Sequence, residues 1–214
     1  FANVLARKLR QRYPDREYYV KIFGYGVTVP APLKNVPDDN VIVAHVSAFF
    51  STDRVDHHFP GERSARQEFA DWAATGAKMW WRPNLPGFEK YTMLPDAPFG
   101  RIMQTFRFLA EHRCEGLFFD TLNLAWPTQG PFYYLLAHLA WDPHADGCAI
   151  LDDYYRRGFG PAAEKIRAYW TLVEETSNRK EDGKLVWWQV LDAEFLKRAA
   201  ALLDQADQVA VNAP

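Results

Sequence analysis

Asp120 is the residue around which a chemistry can be built, because it closes the apolar run Gly116-Leu117-Phe118-Phe119 and so stands at the tip of an expected strand. Three other runs of that kind lead into groups suited to the same task. Tyr18–Phe23 runs into Gly24-Tyr25-Gly26, Val41–Val46 into Ser47-Ala48-Phe49-Phe50, and Lys78-Met79-Trp80-Trp81 into Arg82-Pro83-Asn84. A carboxylate can move a proton or hold a hydroxyl. A flat apolar ring such as Trp80 or Trp81 matches the C–H face of a pyranose, and Tyr25 adds a ring with a polar tip. Arg82 and Asn84 can donate hydrogen bonds to hydroxyl or N-acetyl oxygens. Trp126 and Gln129, just beyond Asp120, extend the set by one more ring and one more amide. This is the chemistry of holding a sugar. Each residue also has a plainer use: Asp120 as a cap, the tryptophans as core fillers, and Arg82, Asn84 and Gln129 as loop structure.

Hydrolysis of a glycosidic bond normally takes two carboxyl groups across the scissile bond. Only Asp120 falls directly at a strand tip, which makes it the catalytic candidate. Glu115 belongs to the opposite end of its strand, and Asp53 and Asp56 to a loop after the second strand. The run Asp53-Arg54-Val55-Asp56-His57-His58 gathers metal-ligating types, but its spacing matches no helical His–His pair. A metal, a sugar-contacting loop and a solvated loop all remain open for it. No metal or other cofactor is assigned. His45, in mid-strand, reads as a core residue. Cys114 and Cys148 fit no metal spacing and read as buried free thiols rather than a disulfide.

These groups must be held by a framework, and the hydrophobic pattern supplies one. A helix over 4–13 ends at Pro14, and strands are expected at 18–24, 41–47, 78–81 and 116–120. Helices are expected at 64–75 and 99–113, so strand and helix alternate, which implies parallel strands with right-handed crossovers. The link from the first strand to the second, a Pro-rich loop over 27–40, lacks a clear helix. The second strand is almost continuously apolar, as a strand buried on both faces should be. Because neighbouring strand residues point to opposite faces, only one of Trp80 and Trp81 can face a ligand; the other should pack under a helix. Beyond 125 the pattern is helical, at 130–141, 146–157, 161–176 and 192–209, with a polar linker at 177–184. Four strands cannot close a (β/α)8 barrel, which needs eight and about 250 residues. The fold is α/β: part of such a barrel, or a small open sheet.

The series Trp126-Pro127-Thr128-Gln129-Gly130, Tyr133-Tyr134-Leu135-Leu136-Ala137, Trp141-Asp142-Pro143, Asp152-Asp153-Tyr154-Tyr155 and Gly158-Phe159-Gly160-Pro161-Ala162-Ala163 resembles the family called domain of unknown function DUF4838. Phe23-Gly24-Tyr25, Pro30, Pro32 and Asp39-Asn40-Val41 agree with it, and the resemblance runs from residue 1 to about 176. It implies a glycoside-hydrolase-like barrel, bacterial and often exported to the periplasm or beyond. Some relatives act as endo-β-N-acetylglucosaminidases on complex N-glycans. On that reading residues 1–125 are the C-terminal half of the barrel, its last four strands, and 126–214 a helical region packed on it. The N-terminal half, carrying the catalytic acid after the fourth strand, would precede Phe1. That fits a chain that opens without Met inside a helical pattern. Asp120 stands where many relatives carry Glu.

The formal net charge of -2 gives no electrostatic case for nucleic acid or for an anionic membrane. No apolar run is long enough to span a bilayer. The expected partner is a carbohydrate, either as the substrate of a glycosidase or as the ligand of a non-catalytic barrel. An interaction module without ligand is the reading from another class.

Overall fold

The computed structural model describes residues 1–47, 64–83, 95–119, 126–181 and 191–211. The chain forms two compact units, Phe1–Glu89 with Arg107–Leu122, and Lys90–Phe106 with Asn123–Pro214.

The first unit is built on a sheet of β1 (Val20–Gly24), β2 (Val41–His45), β3 (Lys78–Trp81) and β4 (Cys114–Leu117). The strands lie in chain order and every pair is parallel. This is the succession of strands in an α/β barrel, and the fold is that of a partial barrel with helices. The strand–helix alternation dictates it, since a parallel neighbour can be reached only by a crossover. Helix α1 (Ala2–Arg12) precedes β1, and α2 (Ala65–Ala74) crosses from β2 to β3. Helix α3 (Phe99–Glu111) leads from the second unit into β4. Ser64 caps α2: its hydroxyl accepts from the Gln67 N–H, and the Gln67 side chain accepts from the Ser64 N–H.

Between β1 and β2 there is only a short 3-10 turn, Gly26–Thr28, and a loop. Helix α1 clasps that loop. Arg7 forms a bidentate pair with Asp38, at 2.6 and 2.9 Å. The Asn3 amide donates to the Val36 carbonyl, and Asn40 donates to the Ala6 carbonyl from a buried position. Arg7 holds the Asp38 carboxyl, and Arg10 the Asp39 carboxyl, below the usual carboxylate range. β2 is buried along its whole length, as its apolar run requires.

The second unit is helical: α4 (Trp126–Trp141), α5 (Gly147–Phe159), α6 (Ala163–Glu181) and α7 (Ala193–Val211), together with the start of α3. Phe132, Leu135, Leu139, Trp170 and Phe195 are buried, each such side chain contributing about 1.5–3 kcal/mol. Asp146 caps α5 by accepting from the N–H groups of Cys148 and Ala149.

Four expectations need correction. The fourth strand, expected over 116–120, is Cys114–Leu117, so it ends three residues before Asp120. The polar stretch from Ser177 is not a linker at its start, because α6 runs on to Glu181. Thr176 and Ser177 are both buried; Thr176 donates to the Leu172 carbonyl, and Ser177 accepts from the Ala97 N–H, so packing holds polar residues helical. Helix α4 begins four residues before Gly130, although Pro127, Gly130 and Pro131 read as breakers. Cys148 is exposed rather than buried, though both cysteines are free.

Candidate functional site

Among the described residues the sheet has one face under α2 and one open face, and its register decides which side chain goes where. Phe23 stands beside Ala44, Ala44 beside Trp80, and Trp80 beside Gly116. Large and small residues thus alternate in a row across all four strands. The small ones make room for the large. A Cβ on Gly116 would lie 2.5 Å from the Trp80 indole, so the ring is seated over bare backbone. Phe118, two residues on from Gly116, joins the same face, and its N–H donates to the Trp81 carbonyl beyond the end of β4. Arg82 continues β3 in the same way, its N–H donating to the His45 carbonyl.

Two cations lie on these rings. The Lys21 ammonium sits 5.5 Å from the Phe23 centroid, 5.7 Å from Trp80 and 5.3 Å from Phe118. The Arg82 guanidinium carbon lies 5.5 Å from Phe23 and 5.8 Å from Phe118. Contacts of this length are attractive by about 0.5–1 kcal/mol at exposed sites. Phe23 and Phe118 remain 47% and 45% exposed, so the rings keep surface for a ligand. Lys21 makes no ion pair among the described residues. The described acid nearest in sequence to this row, Glu115, instead faces Lys78 at 3.5 Å, and Lys78 lies over Tyr19 toward the N-terminal edge of the sheet.

The other face is closed. His45 is fully buried and meets Phe69 of α2 edge to face, at 5.6 Å. Its Nδ1 lies 3.1 Å from the Ser47 hydroxyl. Burial pushes the imidazole down to about 4, and the Val29 backbone opposes this only in part. Phe69 also packs on Phe108, which lies under the Arg66 guanidinium. Burial pushes the Cys114 thiol up to about 11, which makes it a poor nucleophile.

Trp80 and Trp81 therefore part as alternation requires. Trp80 lies on the open face. Trp81 is fully buried, donates its indole N–H to the Ser47 carbonyl and meets Phe119 edge-on, so the substrate contact expected of it is excluded by packing. Tyr25 lies just past β1, 57% exposed, at the start of the 3-10 turn that Thr28 ties back to it. Trp126 and Gln129 belong to the second unit. Trp126 is exposed and edge-on to Tyr133, whereas Gln129 is buried inside α4. Asn84, Asp120 and the 53–58 run lie outside the described residues. Sequence reasoning missed Lys21, Phe23 and Phe118. Their signal was the two-residue alternation of Lys21 and Phe23, concealed because every residue from Tyr18 to Phe23 except Lys21 is apolar or aromatic.

Among the described residues, no group of His, Cys, Asp and Glu is placed to hold a metal, and no helix is long and apolar enough to cross a membrane. Neither the curated proteins nor the solved structures contain a match to this chain. A family model does match, over residues 1–171 and thus over most of the chain. The chain belongs to the family described as Domain of unknown function (DUF4838).

Proposed function

We propose that the open face of the sheet binds a carbohydrate and that the chain forms part of a glycoside-hydrolase-like barrel. The observation that carries this reading is the row of rings on the open face, exposed Phe23 and Phe118 with half-buried Trp80, and with Lys21 and Arg82 lying on it. Rings that keep exposed surface can stack on the apolar face of a pyranose, while the cations supply donors to its oxygens. Phe23, Trp80, Arg82 and Phe118 fall toward or just beyond the C-terminal ends of parallel strands, where barrel enzymes keep their sites, whereas Lys21 stands level with Lys78 nearer the N-terminal ends. Asp120, two residues beyond Phe118, is assigned the carboxylate role, as proton donor or as holder of a hydroxyl. The first half of the parent barrel would supply its partner acid, in an exported protein.

One observation favours a second reading, sugar binding without catalysis. Among the described residues, the row itself and the next position along β3 and β4 offer Phe23, Ala44, Trp80, Gly116, Arg82 and Phe118, and none is an acid. Both readings are tested by screening the full-length protein and its Trp80→Ala variant on an array of oligosaccharides that includes complex N-glycans, with reducing-end release followed on whatever binds. Binding that depends on Trp80 supports the carbohydrate reading, and release separates enzyme from binder. Binding to no glycan would overturn both.

A further inference from the structure

We infer that the second unit associates with a second copy of this chain through α7, two such helices lying antiparallel about a two-fold axis near Ala200 and Ala201. The surface concerned is one that the carbohydrate reading does not use.

Helix α7 carries two apolar stripes. Phe195, Ala199 and Ala206 form the first. They are buried, and α7 packs on α6 and on the 3-10 turn Gly160–Ala162. Leu196, Ala200 and Leu203 form the second, turned by about a quarter of a turn from the first. All three are exposed, Leu196 at 58% and Leu203 at 43%. A helix that served only its own unit would place polar residues there. Two leucines two turns apart, with an alanine between them, are instead the seam of a helix pair, and the small residue lets the backbones come close.

Charge names the occupant. Lys197 and Asp204 are both exposed, and each follows one of the two leucines. They therefore share one flank of the stripe, two turns apart. In an antiparallel pair that flank meets its own copy, so Lys197 of each chain comes opposite Asp204 of the other, twice by symmetry. A parallel pair would set it against the flank of Ala199 and Ala206, which is already buried within the unit. The same axis brings exposed Asp207 to the first turn of the second copy's α7, where the helix dipole favours an acid. A surface that answers its own charges selects itself; a foreign helix would have to present the same spacing. The helix has 19 residues and is about 28 Å long, so the contact is small and the dimer depends on concentration.

The test is sedimentation velocity of the full-length protein over a concentration series, with Leu203→Glu, Lys197→Glu and Asp204→Lys as variants. All three side chains are exposed, and thermal melting checks that each variant folds. The parent should dimerise, and Leu203→Glu should remain monomeric. Each charge variant sets like charges opposite one another at two places and should weaken the dimer by about tenfold. Mixed in equal amounts, Lys197→Glu and Asp204→Lys should recover the parent's association as a mixed dimer, because both pairs are then opposite in sign again. A mixture no tighter than either variant alone would overturn the antiparallel arrangement. A parent that stays monomeric throughout would overturn the self-association and leave the stripe to another protein. Folded variants that dimerise as the parent does would overturn the role given to α7.

Discussion

Lys21 and Arg82 lie over the same two phenyl rings, Phe23 and Phe118, although a strand separates the two that carry them. The parallel register makes this possible. Ala44 is the side chain between Phe23 and Trp80, and it is small enough for groups on either side to reach across it.

Gly116 is the other small member of that row, and it gives a sharp prediction. Gly116→Ala sets a methyl 2.5 Å from the Trp80 indole, and a rigid two-ring system cannot swing away as a lysine tip would. Overpacking of this kind costs about 1–3 kcal/mol. Denaturant unfolding should show that loss, and a glycan bound by the parent should bind the variant several-fold more weakly. Unchanged stability and affinity would mean that Trp80 is not seated on Gly116.

His45 gives a prediction about pH. Buried under α2, it takes a proton only near pH 4, while in the unfolded chain it does so near 6.5. Between these values the unfolded state binds more protons, so stability must rise with pH across that window and fall on acidification from 6.5 toward 4. One pK unit corresponds to about 1.4 kcal/mol, so the total is on the order of 3 kcal/mol. Melting temperatures of the protein and of His45→Asn, taken from pH 4 to 7.5, should differ in slope, with the variant flatter. Parallel slopes would place the titrating group elsewhere.

The sheet order and the segregation of helices were legible in the sequence because each strand is a short apolar run and each helix has a 3.6-residue stripe. The division of labour between Trp80 and Trp81 was legible too, since alternation allows only one of two neighbours to face a ligand. What stayed hidden depends on neighbours distant in sequence. Nothing about Lys21 says that Phe118 will lie beside it; only the register of four strands brings them together. Ser177 reads as a linker residue until Ala97, eighty residues away, donates to it. Pro127 and Pro131 suppress the start of α4 on local grounds, yet the helix forms around buried Phe132, Leu135 and Leu139.

The exposed side of the sheet bears on association. β1 and β4 are the edge strands among the described residues, and the unpaired backbone of an edge is a template for another strand. Residues 1–214 expressed alone should self-associate, as read by light scattering. A monodisperse monomer with one cooperative thermal transition would show that this face and edge need no further cover.

Asp120 separates catalysis from binding. In the full-length protein, Asp120→Asn should abolish release of the reducing end, by at least a hundredfold, while leaving glycan affinity within a few-fold. Loss of affinity with turnover at saturation intact would make Asp120 a substrate contact instead. No change in either would remove it from the site.

The most direct measurement concerns Trp80. Titration of the full-length protein with its best-bound oligosaccharide should show at least a tenfold loss of affinity for Trp80→Ala, about 1.4 kcal/mol or more. Trp141→Ala, which alters a 92% exposed ring of the second unit, should bind like the parent. Equal affinity of Trp80→Ala and the parent would contradict the claim that the open face of the sheet holds the sugar.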